Sequence, residues 1–205
     1  MVKVKICGIT NLEDALAALF NQADALGFVF YKKSARYISP GTAGNISRIL
    51  PKKIIRVGVF VDEKEKLVKK IARQCGLNML QFHGAESPEY CQRFQGYKVI
   101  KAFRIDKKID LNAISKYKTF AYLFDTYQKD EIGGTGKKFN WNLLKQVVKI
   151  KQPVFLSGGL TASNVNAAIR LLKPDWVDAS SSLELCPGMK DHKKIQKFIN
   201  VAKSI

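Results

Sequence analysis

Eight times along the chain, a short run of β-branched and aromatic residues gives way to a segment of helical period. The runs are VKVKI (2–6), ALGFVFY (25–31), RVGVFV (56–61), MLQFHG (79–84), KVIKAFRI (98–105), FAYLFDT (120–126), PVFLSGG (153–159) and DWVDASS (175–181). Helix signals follow each of them. Asn11 can cap NLEDALAALFNQ, with Glu13 and Asp14 in its first turn. Ser39-Pro40 and Ser87-Pro88 each place a cap before a first-turn proline, and DEKEKLVKKIARQCG stops at a glycine. Further helical periods lie near 110–118, the faintest of them, and in WNLLKQVVKI, TASNVNAAIRLLK and DHKKIQKFINVAKSI. The inner runs are almost continuously apolar, as strands of a parallel sheet must be when helices cover both faces. Eight strand–helix units, about 25 residues apart, predict an α/β protein with one (β/α)8 barrel of the TIM type, spanning residues 1–205. An open doubly wound sheet is the alternative, because periodicity does not fix strand order.

Length and composition agree with that reading. A chain of 205 residues, 46% hydrophobic, can bury one sizeable core but hardly two. No apolar stretch reaches the roughly 18 residues of a membrane span, and MVKVKICGIT lacks a signal-peptide core. Cys7, Cys75, Cys91 and Cys186 are scattered, with no pair at metal-clip spacing, so reduced thiols in a cytoplasmic protein are expected. The net charge of +18 comes mostly from 28 lysines spread along the chain. Its densest cluster, KEKLVKK (64–70), mixes acids among the bases, which describes a solvated helix face better than a nucleic-acid footprint. Steering of a small anionic substrate is the other role such a field supports. Neither a nucleic-acid nor a membrane partner is expected.

Barrels of this kind build their sites at the C-terminal ends of the strands. Cys7 ends the first run, Arg36 lies in the loop after the second, and Asp62 follows the third, where it could cap a helix. His83 ends the fourth run, Arg104 the fifth and Asp125 the sixth. Ser157-Gly158-Gly159 end the seventh, and Asp178 with Ser180 to Ser182 end the eighth. LSGGLT reads as a turn opening a helix, whose amides and positive dipole end suit an anion. The serine-rich eighth turn beside it makes phosphate the expected ligand.

Other chemistries find less material. GGTGK in the long sixth loop resembles a phosphate loop, but two residues separate Gly133 from Gly136 where four are required, which rejects nucleotide binding. Two histidines offer little for a metal site; His192 starts a basic helix and is expected to be exposed, while His83 is either a substrate contact or a structural group at the mouth. No G-x-S-x-G element is present for a hydrolase triad. Cys7 and Asp125 remain for proton transfer, although a strand-end cysteine taken alone is more often an inert buried hydrophobe.

KICGIT, NLEDA, GFVFY, KKSARYIS, RVGVFV, LQFHG, LFDT, GGTGKKFNW, LSGGLTASNV, VDASSSLE and PGMKD occur in this order from residue 4 to residue 191. Together they resemble the phosphoribosylanthranilate isomerase family of tryptophan biosynthesis. The resemblance implies a cofactor-free (β/α)8 barrel that converts N-(5-phosphoribosyl)anthranilate to 1-(2-carboxyphenylamino)-1-deoxyribulose 5-phosphate by an Amadori rearrangement, working as monomer or homodimer and without a metal. It implies Cys7 as general base, Asp125 as general acid and Arg36 on the anthranilate carboxylate. It further implies backbone amides of Gly158, Gly159, Ser180 and Ser181 on the phosphate, with Asp178 lining the site and His83 flanking the substrate. The family usually reads SSG where this chain reads Ser180-Ser181-Ser182. If that glycine has a positive φ, Ser182 is expected to be strained.

Overall fold

The structure, a computed structural model, describes residues 1–105, 109–125, 144 and 150–204. Eight parallel strands run in chain order: β1 (Lys3–Cys7), β2 (Ala25–Val29), β3 (Ile55–Phe60), β4 (Met79–Phe82), β5 (Lys98–Arg104), β6 (Ala121–Asp125), β7 (Val154–Ser157) and β8 (Trp176–Ala179). β8 pairs back onto β1, Lys3 opposite Trp176 and Ile6 opposite Ala179, so the sheet closes into a barrel. Closure removes the open-sheet alternative.

The helices around it begin where capping chemistry allows. α1 (Leu12–Phe20) starts because the Asn11 side chain accepts the Asp14 amide, and α2 (Pro40–Ile49) because Ser39 accepts that of Thr42. α3 (Glu65–Gln74) buries Val68, Ile71 and Ala72 and leaves its lysines outside, with Lys69 paired to Glu65 at 2.6 Å. It stops before Gly76, which takes a φ of +57°. α4 (Pro88–Cys91) is a single turn, much shorter than SPEYCQRFQG suggested, though Ser87 caps it. α5 (Leu111–Ser115), α6 (Val165–Leu172) and α7 (His192–Lys203) complete the described helices. The sixth loop and most of WNLLKQVVKI lie outside the described residues.

Asp62 does not cap α3. Its carboxylate accepts the Ala85 amide instead, while Glu86 accepts the amides of Asp62 and Gly84 and the ammonium of Lys101 at 3.0 Å. These bonds tie the loops after β3 and β4 together beneath His83.

Side chains alternate between two cores. Val4, Ile6, Leu26, Phe28, Phe82 and Phe124 face outward against the helices. Ala25, Val57, Met79, Ile100, Leu123 and Phe155 fill the barrel, where Phe155 stacks on Trp176 at 4.8 Å. Toward the strand ends the filling becomes polar: Lys5, Gln81 and Asp178 are buried there, and Cys7 lies against Val29 and Val59 at the mouth. Burying charge is costly unless function or pairing offsets it, so the polar end of the barrel marks the site.

After β8 the chain makes a 3-10 turn (Ser181–Leu183) and a small hairpin, β9 (Glu184–Cys186) with β10 (Met189–Lys190). Register sets Lys190 opposite Glu184.

Candidate active site

On β1, Lys5 and Cys7 point into the barrel while Ile6 points out. Lys5 is fully buried and its Nζ donates to Asp178 Oδ2 at 2.8 Å. Cys7 lies over Gly27, where any Cβ would sit 2.7 Å from the sulfur, so β2 makes room for the thiol. Burial pushes the Cys7 thiol up; Asp178 adds to that, while the Lys5 and Lys190 ammoniums oppose it. Burial likewise pushes the Asp178 carboxyl up, against the pull of Lys5 and His83. Lys5 stays firmly protonated, because Asp178 and Cys7 together outweigh its desolvation.

Asp125 ends β6 level with Ser157 on β7. His83, just past β4, sets its Nε2 3.2 Å from Asp125 Oδ2 at the end of β6. The Gln81 amide nitrogen lies 2.9 Å from His83 Nδ1. The two ring nitrogens of His83 thus bridge Gln81 and Asp125. His83 is therefore a partner of the carboxyl group first, and Gln81, unread in the sequence, holds its other ring nitrogen.

Gly8, with φ +76°, turns the chain after Cys7; a Cβ there would come within 2.9 Å of both Arg36 Cδ and Ser180 Oγ. Only glycine lets these two side chains close over β1. Arg36 is not a bare fork. Its Nε and Nη2 donate to the Glu184 carboxylate at 2.8 and 2.7 Å, and Lys190 donates to the same group at 2.8 Å. That occupies the side edge of the guanidinium and leaves Nη1 with the second Nη2 hydrogen as a two-donor end. Burial raises the Glu184 carboxyl, but the Arg36 and Lys190 bonds outweigh it and hold the group below its ordinary value. Sequence reading missed Glu184 and Lys190. The Pro187-Gly188 turn between two short runs was the available hairpin signal.

Gly158 and Gly159 have φ of +86° and +63°, a backbone that side chains rarely adopt. The helix expected to open at these glycines begins later, at Val165, after a turn in which Asn164 accepts the Thr161 amide. That turn sets the N-terminal end of α6 back from the two glycines. Asn164 donates to the Gly159 carbonyl at 2.9 Å, and the Ser182 hydroxyl donates to the Leu160 carbonyl. Ser182 is thus not strained: its φ is not positive, and it hooks the β8 turn onto the β7 loop. Ser180 and Ser181 start that turn, with the Ser180 carbonyl 3.2 Å from Lys190 Nζ.

His192 is exposed as expected, yet its Nε2 lies 2.9 Å from Asp14 Oδ1, a tie between α7 and α1, and the same carboxylate accepts the Lys190 amide. Among the described residues no group of three or more His, Cys, Asp or Glu side chains is placed to hold a metal ion.

A closed eight-stranded barrel with ionisable groups and glycine-rich turns gathered at the strand C-termini is the architecture of (β/α)8-barrel enzymes. Residues 4–201 match the family model described as PRAI, N-(5'phosphoribosyl)anthranilate (PRA) isomerase, and the chain belongs to that family. It is 47% identical over its full length to N-(5'-phosphoribosyl)anthranilate isomerase of Thermotoga neapolitana, all of which is covered. It is 45% identical to the enzyme of that name from Trichlorobacter lovleyi, over 99% of this chain and 98% of the relative. The crystal structure of phosphoribosyl anthranilate isomerase from Thermotoga maritima superposes with a TM-score of 0.94 at 45% identity, all of both chains covered. A further crystal structure, of such an isomerase in complex with reduced 1-(o-carboxyphenylamino)-1-deoxyribulose 5-phosphate, gives 0.90 at 43%, again over both whole chains.

Proposed function

We propose that this protein isomerises N-(5'-phosphoribosyl)anthranilate to 1-(2-carboxyphenylamino)-1-deoxyribulose 5-phosphate, a step of tryptophan biosynthesis, by general acid–base catalysis without a cofactor. One observation carries the reading. Asp125, the Gly158-Gly159 loop, the Ser180-Ser181 turn and Cys7 end four strands that are consecutive around the barrel, β6, β7, β8 and β1. A carboxyl and a thiol thus flank the two turns best suited to an anion, as a sugar phosphate with reactive carbons near its far end requires.

In this mechanism the phosphate lies on amides of Gly158, Gly159, Ser180 and Ser181. The Arg36 end not taken by Glu184 meets the anthranilate carboxylate as a planar pair. Asp125 gives its proton to the furanose ring oxygen as the ring opens to an iminium ion. Cys7, as thiolate, takes the proton from C2, whose acidity the cationic imine has raised; the enolamine then becomes the ketone. His83 holds Asp125 Oδ2 at 3.2 Å from its Nε2 and so fixes the carboxyl group that transfers the proton. Asp178 lines the floor through Lys5.

The site is proposed to work in a monomer or a homodimer. The four cysteines are unpaired, and the substrate is a charged metabolite. Both support the cytoplasm as compartment. The purified protein, given enzymatically generated phosphoribosylanthranilate and excess chelator, is expected to extinguish the substrate's fluorescence with turnover. Absence of turnover, or turnover only on adding a divalent ion, overturns the reading.

A further inference from the structure

Lys5 lies two residues before Cys7 on β1, fully buried. Strand alternation puts both side chains on the face that lines the barrel. A buried ammonium needs partners, and Lys5 has one in Asp178 Oδ2 at 2.8 Å. The pair is not closed on itself. Asp178 Oδ1 is buried with no described hydrogen-bond donor, and an ammonium has three hydrogens to place. For stability alone, apolar residues of the same volume would serve this position as well or better. A buried cation paired to a carboxylate and lying two residues from a thiol on the same face of β1 has a different use.

We infer that Lys5 is a positioning residue for the reaction, its ammonium serving as counter-ion to the Cys7 thiolate; the inference rests on Cys7 being the base. Charges facing Cys7 come from three elements: Lys5 on β1, Asp178 on β8 and Lys190 on β10. Its neighbours Val29 and Val59, on β2 and β3, are apolar. Asp178 in turn feels His83 and Asp125. Burial and Asp178 favour the neutral thiol, so the two lysines alone favour the anion. Lys190 is already shared between Glu184 at 2.8 Å and the Ser180 carbonyl at 3.2 Å, which leaves Lys5 as the principal counter-charge. While the sulfur is anionic, Lys5 serves both it and Asp178. When C2 gives its proton to the sulfur, Lys5 returns wholly to Asp178.

The test is an ultraviolet titration of the thiolate, read as the difference between each protein and the same protein carrying Cys7→Ala, which cancels Cys75, Cys91, Cys186 and the tyrosines. Lys5→Met is expected to raise the Cys7 midpoint by at least about one pH unit, a roughly tenfold loss of thiolate at neutral pH. Its kcat should fall at least as far, with the acid limb of the pH profile displaced upward by the same amount. Lys5→Arg should restore most of the loss. Asp178→Asn should move the midpoint the opposite way, downward, which a merely structural role for the pair does not predict. Should Lys5→Met fail to fold around a stranded Asp178, Lys5→Met/Asp178→Asn removes both charges. Its midpoint should still lie above that of the parent. A wild-type midpoint in folded Lys5→Met, or in the folded double variant, overturns the inference. Normal turnover by Cys7→Ala would instead sink the base assignment, so the two failures are distinguishable.

Discussion

Glu184→Gln changes one atom of a buried side chain and disturbs two cations. The carboxylate, 7% exposed, accepts from Arg36 Nε at 2.8 Å, Arg36 Nη2 at 2.7 Å and Lys190 Nζ at 2.8 Å. Glutamine keeps one acceptor oxygen and turns an NH2 group toward an N–H donor. Lys190, 2% exposed, or one arm of Arg36 must then lose its partner. Bonds to charged groups contribute about 1.5–3 kcal/mol, and breaking a buried pair costs about 3–5, so with one oxygen retained the loss should be about 2–4 kcal/mol. Urea unfolding at pH 7 measures it directly, through the midpoint at constant slope. The sign of the pH dependence follows from Arg36 and Lys190 holding the folded carboxyl below its ordinary value of 4.5. Its contribution is complete above that value and is lost as pH falls through the lower folded one, so the gap between parent and variant should close only below about pH 4.5. Binding of a carboxylate-bearing product analogue should weaken at the same time, because Arg36 is no longer aimed. A stability within about 0.5 kcal/mol of the parent at pH 7, with unchanged analogue affinity, would refute the claim that Glu184 holds Arg36 and Lys190.

Ser182→Gly removes the hydroxyl that joins the β8 turn to the Leu160 carbonyl. It should cost about 0.5–1.5 kcal/mol in chemical unfolding, where relief of strain would have stabilised the fold. Gly159→Asp adds a side chain at φ +63° and a charge against the proposed phosphate, so KM should rise at least tenfold while inorganic phosphate loses its competition with substrate. Asp125→Asn keeps the hydrogen bond to His83 available but cannot donate the ring-opening proton. Its kcat should drop by about 10²–10⁴ with melting nearly unchanged.

The strand ends were legible because a parallel barrel imposes near-continuous apolar runs, and the polar residues that interrupt them, Cys7, His83, Asp125 and Asp178, do meet at one mouth. What escaped was the support behind them. Lys5 alternates with Val4 and Ile6, a pattern that on an open sheet means a solvated face; in a closed barrel the same alternation points the lysine into the interior. Glu184 and Lys190 read as surface charge until the hairpin folds them onto Arg36, a contact 148 residues apart in sequence for the Arg36–Glu184 pair. The α6 start was misplaced because Thr161 to Asn164 form a turn, held by Asn164, before the helix begins. Ser182 shows the limit of reasoning by analogy: strain depends on φ, and no residue type alone reveals it.

The central claim, that Cys7 is the base of a cofactor-free isomerisation, is tested most directly by kcat of purified, folded Cys7→Ala beside its circular dichroism and melting curve. The thiol is small, buried and packed against Val29 and Val59, so its removal should cost little beyond a small cavity. With the fold intact, kcat should fall by about 10²–10⁴, and Cys7→Ser should recover little of it, since a hydroxyl offers almost no anion near neutral pH. A folded Cys7→Ala that keeps more than about a tenth of the parent kcat would contradict the claim and return Cys7 to the core.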